Sequence, residues 1–199
     1  MKTYIGIIAL TLGYLMIGNG LTSAQEYKFI DNRDGQEYKT IAVGNQVWMA
    51  ENLNFESENS WSYGDKKKNS NHFGKLYTWE AALSACPNGW HLPDAKEWQE
   101  LIDYHGGDLK AGLALRIDGT TAFNADYAGF RSKDGEFLDL GHDVNYWTAT
   151  NCDEEDAWRC YIDRGFDTVV QDYFSKSGGL SVRCIMNTGN NEFVSNGEL

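Results

Sequence analysis

The stretch Cys86-Pro87-Asn88-Gly89-Trp90-His91-Leu92-Pro93-Asp94-Ala95-Lys96-Glu97-Trp98 decides how the chain around it folds. Pro87-Asn88-Gly89 is a helix stop: proline lacks an amide hydrogen, and glycine easily takes the backbone angles that end a helix. Upstream, Leu76, Trp79, Leu83 and Cys86 fall at helical spacing in an alanine-rich run, so a first helix is expected over residues 76–86. Downstream, Asp94 with Glu97 three residues later forms a capping-box start for a second helix. Ala95, Trp98, Leu101 and Ile102 make its apolar stripe, and Gly106-Gly107 ends it.

On either side of this helical pair the pattern turns to strands. Residues 38–53 read as a β-hairpin with its turn at Gly44-Asn45. Residues 56–73 are polar, contain three consecutive lysines, and read as a long loop carrying Trp61 and Tyr63. Residues 108–145 are rich in Gly and Asp and read as loops with brief strands. The last third predicts strands at 146–150, 157–163, 168–174 and 180–186, a spacing that suits an antiparallel sheet.

The N-terminus points to export. Lys2 precedes an apolar run of 14 residues, and Thr22-Ser23-Ala24 supplies the small residues of a cleavage site, so residues 1–24 read as a signal peptide. That run is shorter than the roughly 20 residues that span a bilayer. No cysteine follows it to carry a lipid, and no later segment invites membrane insertion after cleavage. A single domain over residues 25–187 and a polar tail over 188–199 are expected. The expected location is secreted or cell-surface, with the periplasm as the alternative. With 29 acidic against 17 basic side chains the net charge is −12, which repels nucleic acid and anionic headgroups but suits neutral sugars and metal cations. Seven Trp, 11 Tyr and 9 Phe are many for this length; most belong to the core, and a few are available to line a binding surface.

Four cysteines in an exported chain argue for two disulfides, with three possible pairings. Local proximity favours Cys152 with Cys160, at either end of the acidic run Asp153-Glu154-Glu155-Asp156, which leaves Cys86 with Cys184. A four-thiolate zinc site is the competing reading, but the seven residues between Cys152 and Cys160 do not suit one.

A family pattern runs through the same residues. It includes Asp34-Gly35-Gln36-Glu37-Tyr38-Lys39-Thr40, Gly44-Asn45-Gln46-Val47-Trp48-Met49-Ala50-Glu51-Asn52-Leu53 and Gly74-Lys75-Leu76-Tyr77-Thr78-Trp79. It continues through Cys86-Pro87-Asn88-Gly89-Trp90-His91-Leu92-Pro93, Glu97-Trp98, Tyr146-Trp147-Thr148-Ala149-Thr150 and Ser181-Val182-Arg183-Cys184. Over residues 31–187 the chain resembles the Fibrobacter succinogenes major paralogous domain family of secreted bacterial proteins. The resemblance implies an α+β domain similar to the C-type-lectin-like and formylglycine-generating-enzyme folds, with two helices packed on small twisted antiparallel sheets and long loops. It also implies Cys86 joined to Cys184 and a local clip between Cys152 and Cys160.

The chemistry expected on such a scaffold is recognition. The calcium signatures of sugar-binding C-type lectins, Glu-Pro-Asn or Gln-Pro-Asp with Trp-Asn-Asp, are absent. No cofactor is expected; calcium on Asp153, Glu154, Glu155 and Asp156 is the minor alternative. No His lies in a nucleophile motif, so no catalytic residue is assigned, and His91 reads as a structural imidazole. By analogy with lectin-like folds, ligands would meet the long loops and late strands. Tyr146, Trp147, Trp158, Tyr161 and Tyr173 are the aromatic candidates, with Trp147 better explained as core. Asn124, Asp126 and Asn145 are the polar candidates, and Trp61 and Tyr63 join them from the polar loop. The expected function is non-catalytic recognition or adhesion, with a carbohydrate or cell-surface polymer as ligand. The alternatives are a structural module of a surface or fimbrial assembly that binds another protein, and an enzyme of unknown type on a formylglycine-generating-enzyme-like scaffold.

Overall fold

A computed structural model describes residues 27–187, so the expected leader and the tail 188–199 lie outside the described residues. β1 (Tyr27–Ile30) pairs antiparallel with β2 (Glu37–Val43), and β2 with β3 (Gln46–Met49). The β2–β3 turn falls at Gly44-Asn45 as expected, with Gly44 at a φ of 58° that glycine adopts without strain.

Residues 56–73 are more ordered than the expected loop. They hold β4 (Ser60–Trp61), a 3-10 turn at Tyr63–Asp65 and α1 (Lys67–Phe73). Ser70 is the one buried residue of α1, so the helix has no apolar stripe for periodicity to reveal. The next helix starts later than its spacing predicts. Leu76 and Tyr77 form β5 (Leu76–Tyr77), and α2 (Trp79–Ala85) begins behind Thr78, whose side chain accepts from the Ala81 N–H.

After β6 (Trp90–His91) comes α3 (Ala95–Tyr104), whose capping box is the one read from the sequence. Asp94 Oδ1 accepts from the Glu97 N–H at 2.8 Å, and the Glu97 carboxylate accepts from the Asp94 N–H at 2.9 Å. The Gly107 N–H closes the other end on the Ile102 carbonyl. The loop-rich middle adds α4 (Ala111–Leu115) and a small hairpin, β7 (Phe130–Arg131) with β8 (Phe137–Leu138).

Three long strands follow, β9 (Asp143–Asn151), β10 (Asp156–Asp163) and β11 (Val169–Ser175), paired antiparallel in sequence order. The single strand expected at 180–186 is broken into β12 (Leu180–Ser181) and β13 (Ile185–Met186). These two belong to different sheets. One sheet has the order β1-β2-β3-β13-β6, the other β11-β10-β9-β12-β5-β4. The architecture is therefore α+β, with few helices on antiparallel-rich sheets.

Strand alternation divides the interior into two cores. Trp48, Tyr146 and Ile185 point into the first, while their neighbours Met49, Trp147 and Cys184 point into the second. In the first core Trp98 of α3 lies 4.9 Å from Trp48 and stacks on Tyr146 at 5.2 Å between ring centres. In the second, α2 contributes Trp79, Ala82 and Ala85, and the Trp79 indole donates to the Thr148 carbonyl.

The break between β12 and β13 places Arg183 between the cores with no exposed surface. Its guanidinium donates to the carbonyls of Met49, Phe123 and Asn124, to Asn52 Oδ1 and to the Tyr146 hydroxyl. It also lies 4.6 Å from the Phe123 ring centre. Every one of these acceptors is neutral, and burial pulls the guanidinium below its ordinary value. Without Arg183, three backbone carbonyls from two segments, Met49 and Phe123-Asn124, would lose this donor in the interior.

The pairing of Cys86 with Cys184 is present and closes a span of 98 residues. In a chain-entropy account such a loop stabilises by about 4.7 kcal/mol. The expected Cys152–Cys160 clip does not form, and both cysteines are free thiols. The ladder explains why. Cys152 follows Asn151, which sits opposite Ala157, and Cys160 lies three residues further along β10. That is ~10 Å of strand, beyond the ~7 Å that a disulfide tolerates between Cα atoms. Cys160 also points into the first core, away from exposed Cys152.

Peptide mapping without reductant should join the Cys86 and Cys184 peptides and no others. A maleimide should label Cys152 in the native protein and Cys160 only after unfolding; a Cys152–Cys160 peptide would contradict the strand register. Arg183→Lys keeps the charge but loses the forked geometry, and should cost about 2–4 kcal/mol in urea unfolding.

Candidate functional site

Helix α3 is held against the late strands at its first turn. The Ala95 N–H donates to Thr150 Oγ1, and the Ala149 N–H donates to the Pro93 carbonyl. Behind that turn α3 stands off from β10 and β11, and a groove of about 790 Å3 opens between them. Ala95, Lys96 and Gln99 form one wall. Asp108 and Leu109 close the end, and Trp158 with residues 168–171 forms the other wall. The Val169 N–H donates to the Asp108 carbonyl, which ties the end loop to the strand.

The polar groups of this groove are linked. Gln171 Nε2 donates to Gln99 Oε1 at 2.8 Å, and Gln99 Nε2 donates to Asp103 and Asp108 at 3.0 and 3.1 Å. Gln171 Oε1 is buried and accepts no hydrogen bond. Trp158 is directly opposite Tyr173 in the β10–β11 register, so both rings project from the groove face, and Tyr173 is 61% exposed. Leu109 extends the apolar part of the rim at 76% exposed. The arrangement offers flat apolar rings beside amides and carboxylates, suited to stacking on a ligand face and bonding its polar edge.

The opposite face of the same strands carries a second polar array. Asn145 Nδ2 donates to Asp143 Oδ1 at 3.0 Å, and Asn145 Oδ1 accepts from Arg159 Nη1 at 2.8 Å. Arg159 Nε donates to Asp172 at 2.7 Å, while its guanidinium carbon lies 4.9 Å from the Tyr161 ring centre and 4.8 Å from that of Phe174. Burial pushes Asp143 up to about 6 despite the Asn145 hydrogen bond. His91 is similarly bound on both ring nitrogens, to Asn187 Oδ1 at 2.6 Å and to Glu97 at 2.9 Å, and the Glu97 bond raises it above its ordinary value.

The sequence candidates thus separate into five places. Trp158 lines the groove, and Tyr173 stands beside it on the same strand face, outside the groove wall. Tyr161 is half-buried beside Arg159 on the other face, and Asn145 is fully buried there, so Asn145 organises Arg159 and presents no surface. Tyr146 and Trp147 are also fully buried, one in each core. Asn124 and Asp126 lie by Arg183: the Asn124 carbonyl accepts from Arg183, and Asp126 sits 3.2 Å from His72 with its carboxyl raised by burial. Trp61 and Tyr63 are at the β4 edge, Trp61 under the Arg131 guanidinium at 4.1 Å and Tyr63 5.2 Å from Phe137.

At the acidic tip, Asp153 Oδ1 accepts from the N–H groups of Glu155 and Asp156, and Lys176 Nζ donates to the Asp153 and Glu154 carbonyls. A turn and an ammonium therefore engage one Asp153 carboxylate oxygen and two backbone carbonyls of the tip. Among the described residues no three His, Cys, Asp or Glu side chains converge as metal ligands. The Cys160 thiol is pushed up by burial, which makes it a poor nucleophile. Gln99 and Gln171 escape a sequence reading because a glutamine on a helix and one on a strand carry no motif; only α3 packing across β11 brings them together.

These features define a disulfide-linked α+β domain with a groove between its second core helix and its sheet edge. The chain belongs to the Fibrobacter succinogenes major domain family, whose model matches residues 41–186. No curated protein and no solved structure gives a match.

Asp143 binds its proton more tightly folded than unfolded, so the folded chain carries the extra proton between about pH 4 and about pH 6. Stability should therefore fall as pH rises through that window. Asp143→Asn removes the titration and should stabilise the domain at pH 7.5 by about 1 kcal/mol, discounted for partial exposure, with no gain at pH 3.5. Equal effects at both pH values in thermal unfolding would contradict the assignment.

Proposed function

We propose that this chain is an exported, non-catalytic recognition protein on a C-type-lectin-like scaffold, and that it binds a carbohydrate or cell-surface polymer in the groove between α3 and β11. The observation that carries this reading is the pairing of Trp158 with Tyr173 beside the Gln99–Gln171–Asp108 chain. Saccharides offer apolar ring faces edged with hydroxyl groups, and this wall has rings for the faces and amides or a carboxylate for the edges. Export is supported by the N-terminal sequence and by a disulfide, which persists in oxidising compartments.

A protein partner is the second reading. Leu109, Leu113 and Phe166 are all exposed, and the Gly112 N–H donates to the Asp167 carbonyl, which places Leu113 and Phe166 along one seam.

A neutral-glycan array probed with the mature domain tests the first reading. Binding should appear, and Trp158→Ala or Tyr173→Ala should weaken it at least tenfold with the unfolding midpoint within a few degrees of the parent. Absence of neutral-glycan binding, together with capture of an envelope protein lost in Leu109→Asp, would favour the second.

A further inference from the structure

At the β4 edge of the six-stranded sheet lies a second cavity, of about 370 Å3, far from the groove. Five strand spacings separate β11 from β4, or ~24 Å, so the two sites do not share a wall. Lys75 defines this cavity. It follows Gly74, whose φ of 74° and close approach to Asn52 and Leu53 leave no room for a side chain there. The Lys75 N–H is bonded to the Leu53 carbonyl. This backbone geometry presses the Lys75 side chain inward until it is only 8% exposed. Its ammonium meets the Glu56 carboxylate at 2.6 Å, yet Glu56 itself is 80% exposed.

A buried cation with an exposed counter-ion on a loop is a site where one carboxylate can replace another. Desolvating the ammonium is already paid for by the fold, and the exposed Glu56 carboxylate can return to water at little expense. The remaining wall includes Trp61, the Ser62 hydroxyl and the Asn71 amide, with Asp65 and Lys67 adding one charge of each sign. Arg131 stacks on Trp61 at 4.1 Å and holds the indole in place. We propose that this cavity binds a uronic-acid unit of an acidic polysaccharide. The sugar carboxylate takes the place of Glu56 on Lys75, the indole packs against the ring, and the Ser62 hydroxyl and Asn71 amide bond its hydroxyls. In a chain of net charge −12, this local ammonium is what lets an acidic sugar approach.

The test uses the full chain and a panel of oligogalacturonate, alginate and hyaluronan oligosaccharides, measured by calorimetry in low and moderate salt. At least one should bind, more weakly as salt rises, and methyl esterification of its carboxylates should cost tenfold or more. Glu56→Gln removes the competing carboxylate from an exposed position and should tighten binding at least threefold. Lys75→Met should weaken it at least tenfold, with folding checked by the unfolding midpoint. Trp158→Ala, in the groove, should change nothing. No binding of any uronate by the parent, no gain in Glu56→Gln, or loss in Trp158→Ala would each overturn the proposal. Neutral-glycan binding reads out the groove separately, so either site can fail without the other.

Discussion

Arg183 sits where the chain leaves one sheet for the other, and the local geometry follows from its burial. A strand that continued from Leu180 to Met186 would have to stay in a single sheet. The chain instead turns the guanidinium inward, where carbonyls from β3, the 123–124 segment and the Asn52 loop converge on it. Because Arg183 bonds all of these acceptors at once, with the Tyr146 hydroxyl adding a second donor to Asn52 Oδ1, the arginine and the segments it joins depend on each other. Cys184, next in sequence, anchors the same point covalently to the end of α2. A fork of hydrogen bonds and a disulfide on adjacent residues hold the sheets in fixed relation.

That fixed relation creates both cavities. The groove exists because α3 is tied at its first turn to Thr150 and Pro93, while Trp98 fills the first core below it. The helix can neither collapse onto β11 nor swing away. At the opposite sheet edge, β5 is held by β12 on one side and β4 on the other, which carries Lys75 and Trp61 to the same place. The groove draws on residues from 95 to 171, whereas the Lys75 cavity is lined by the single segment 54–75.

What could be read from residue order alone follows a clear division. The capping box at Asp94 and Glu97, the turn at Gly44-Asn45 and the three long strands are local or periodic, so their residues announce them. Helix α1 was hidden because Lys67, Lys68 and Asn69 bury nothing, and periodicity detects only faces that are buried. The expected Cys152–Cys160 clip was misjudged for a related reason. Nearness in sequence across a hairpin does not give nearness in space once the ladder register places the two residues on different rungs. Among the candidate binding residues, Trp158 and Tyr173 retain exposed or groove-facing rings, whereas Asn145, Tyr146 and Trp147 are taken into the interior.

The amino-acid sequence by itself determined the family, the α+β composition and the caps of α3, and the family's motif order carried the Cys86–Cys184 partners, since these rest on local spacing or on a motif order that survives without coordinates. Only the tertiary structure decided which aromatic rings face solvent, that the last strand divides around Arg183, and that Lys75 is buried against an exposed Glu56. The physical reason is the same in each case. Burial and pairing are set by what other segments bring to a residue, and those partners are not its neighbours in the chain.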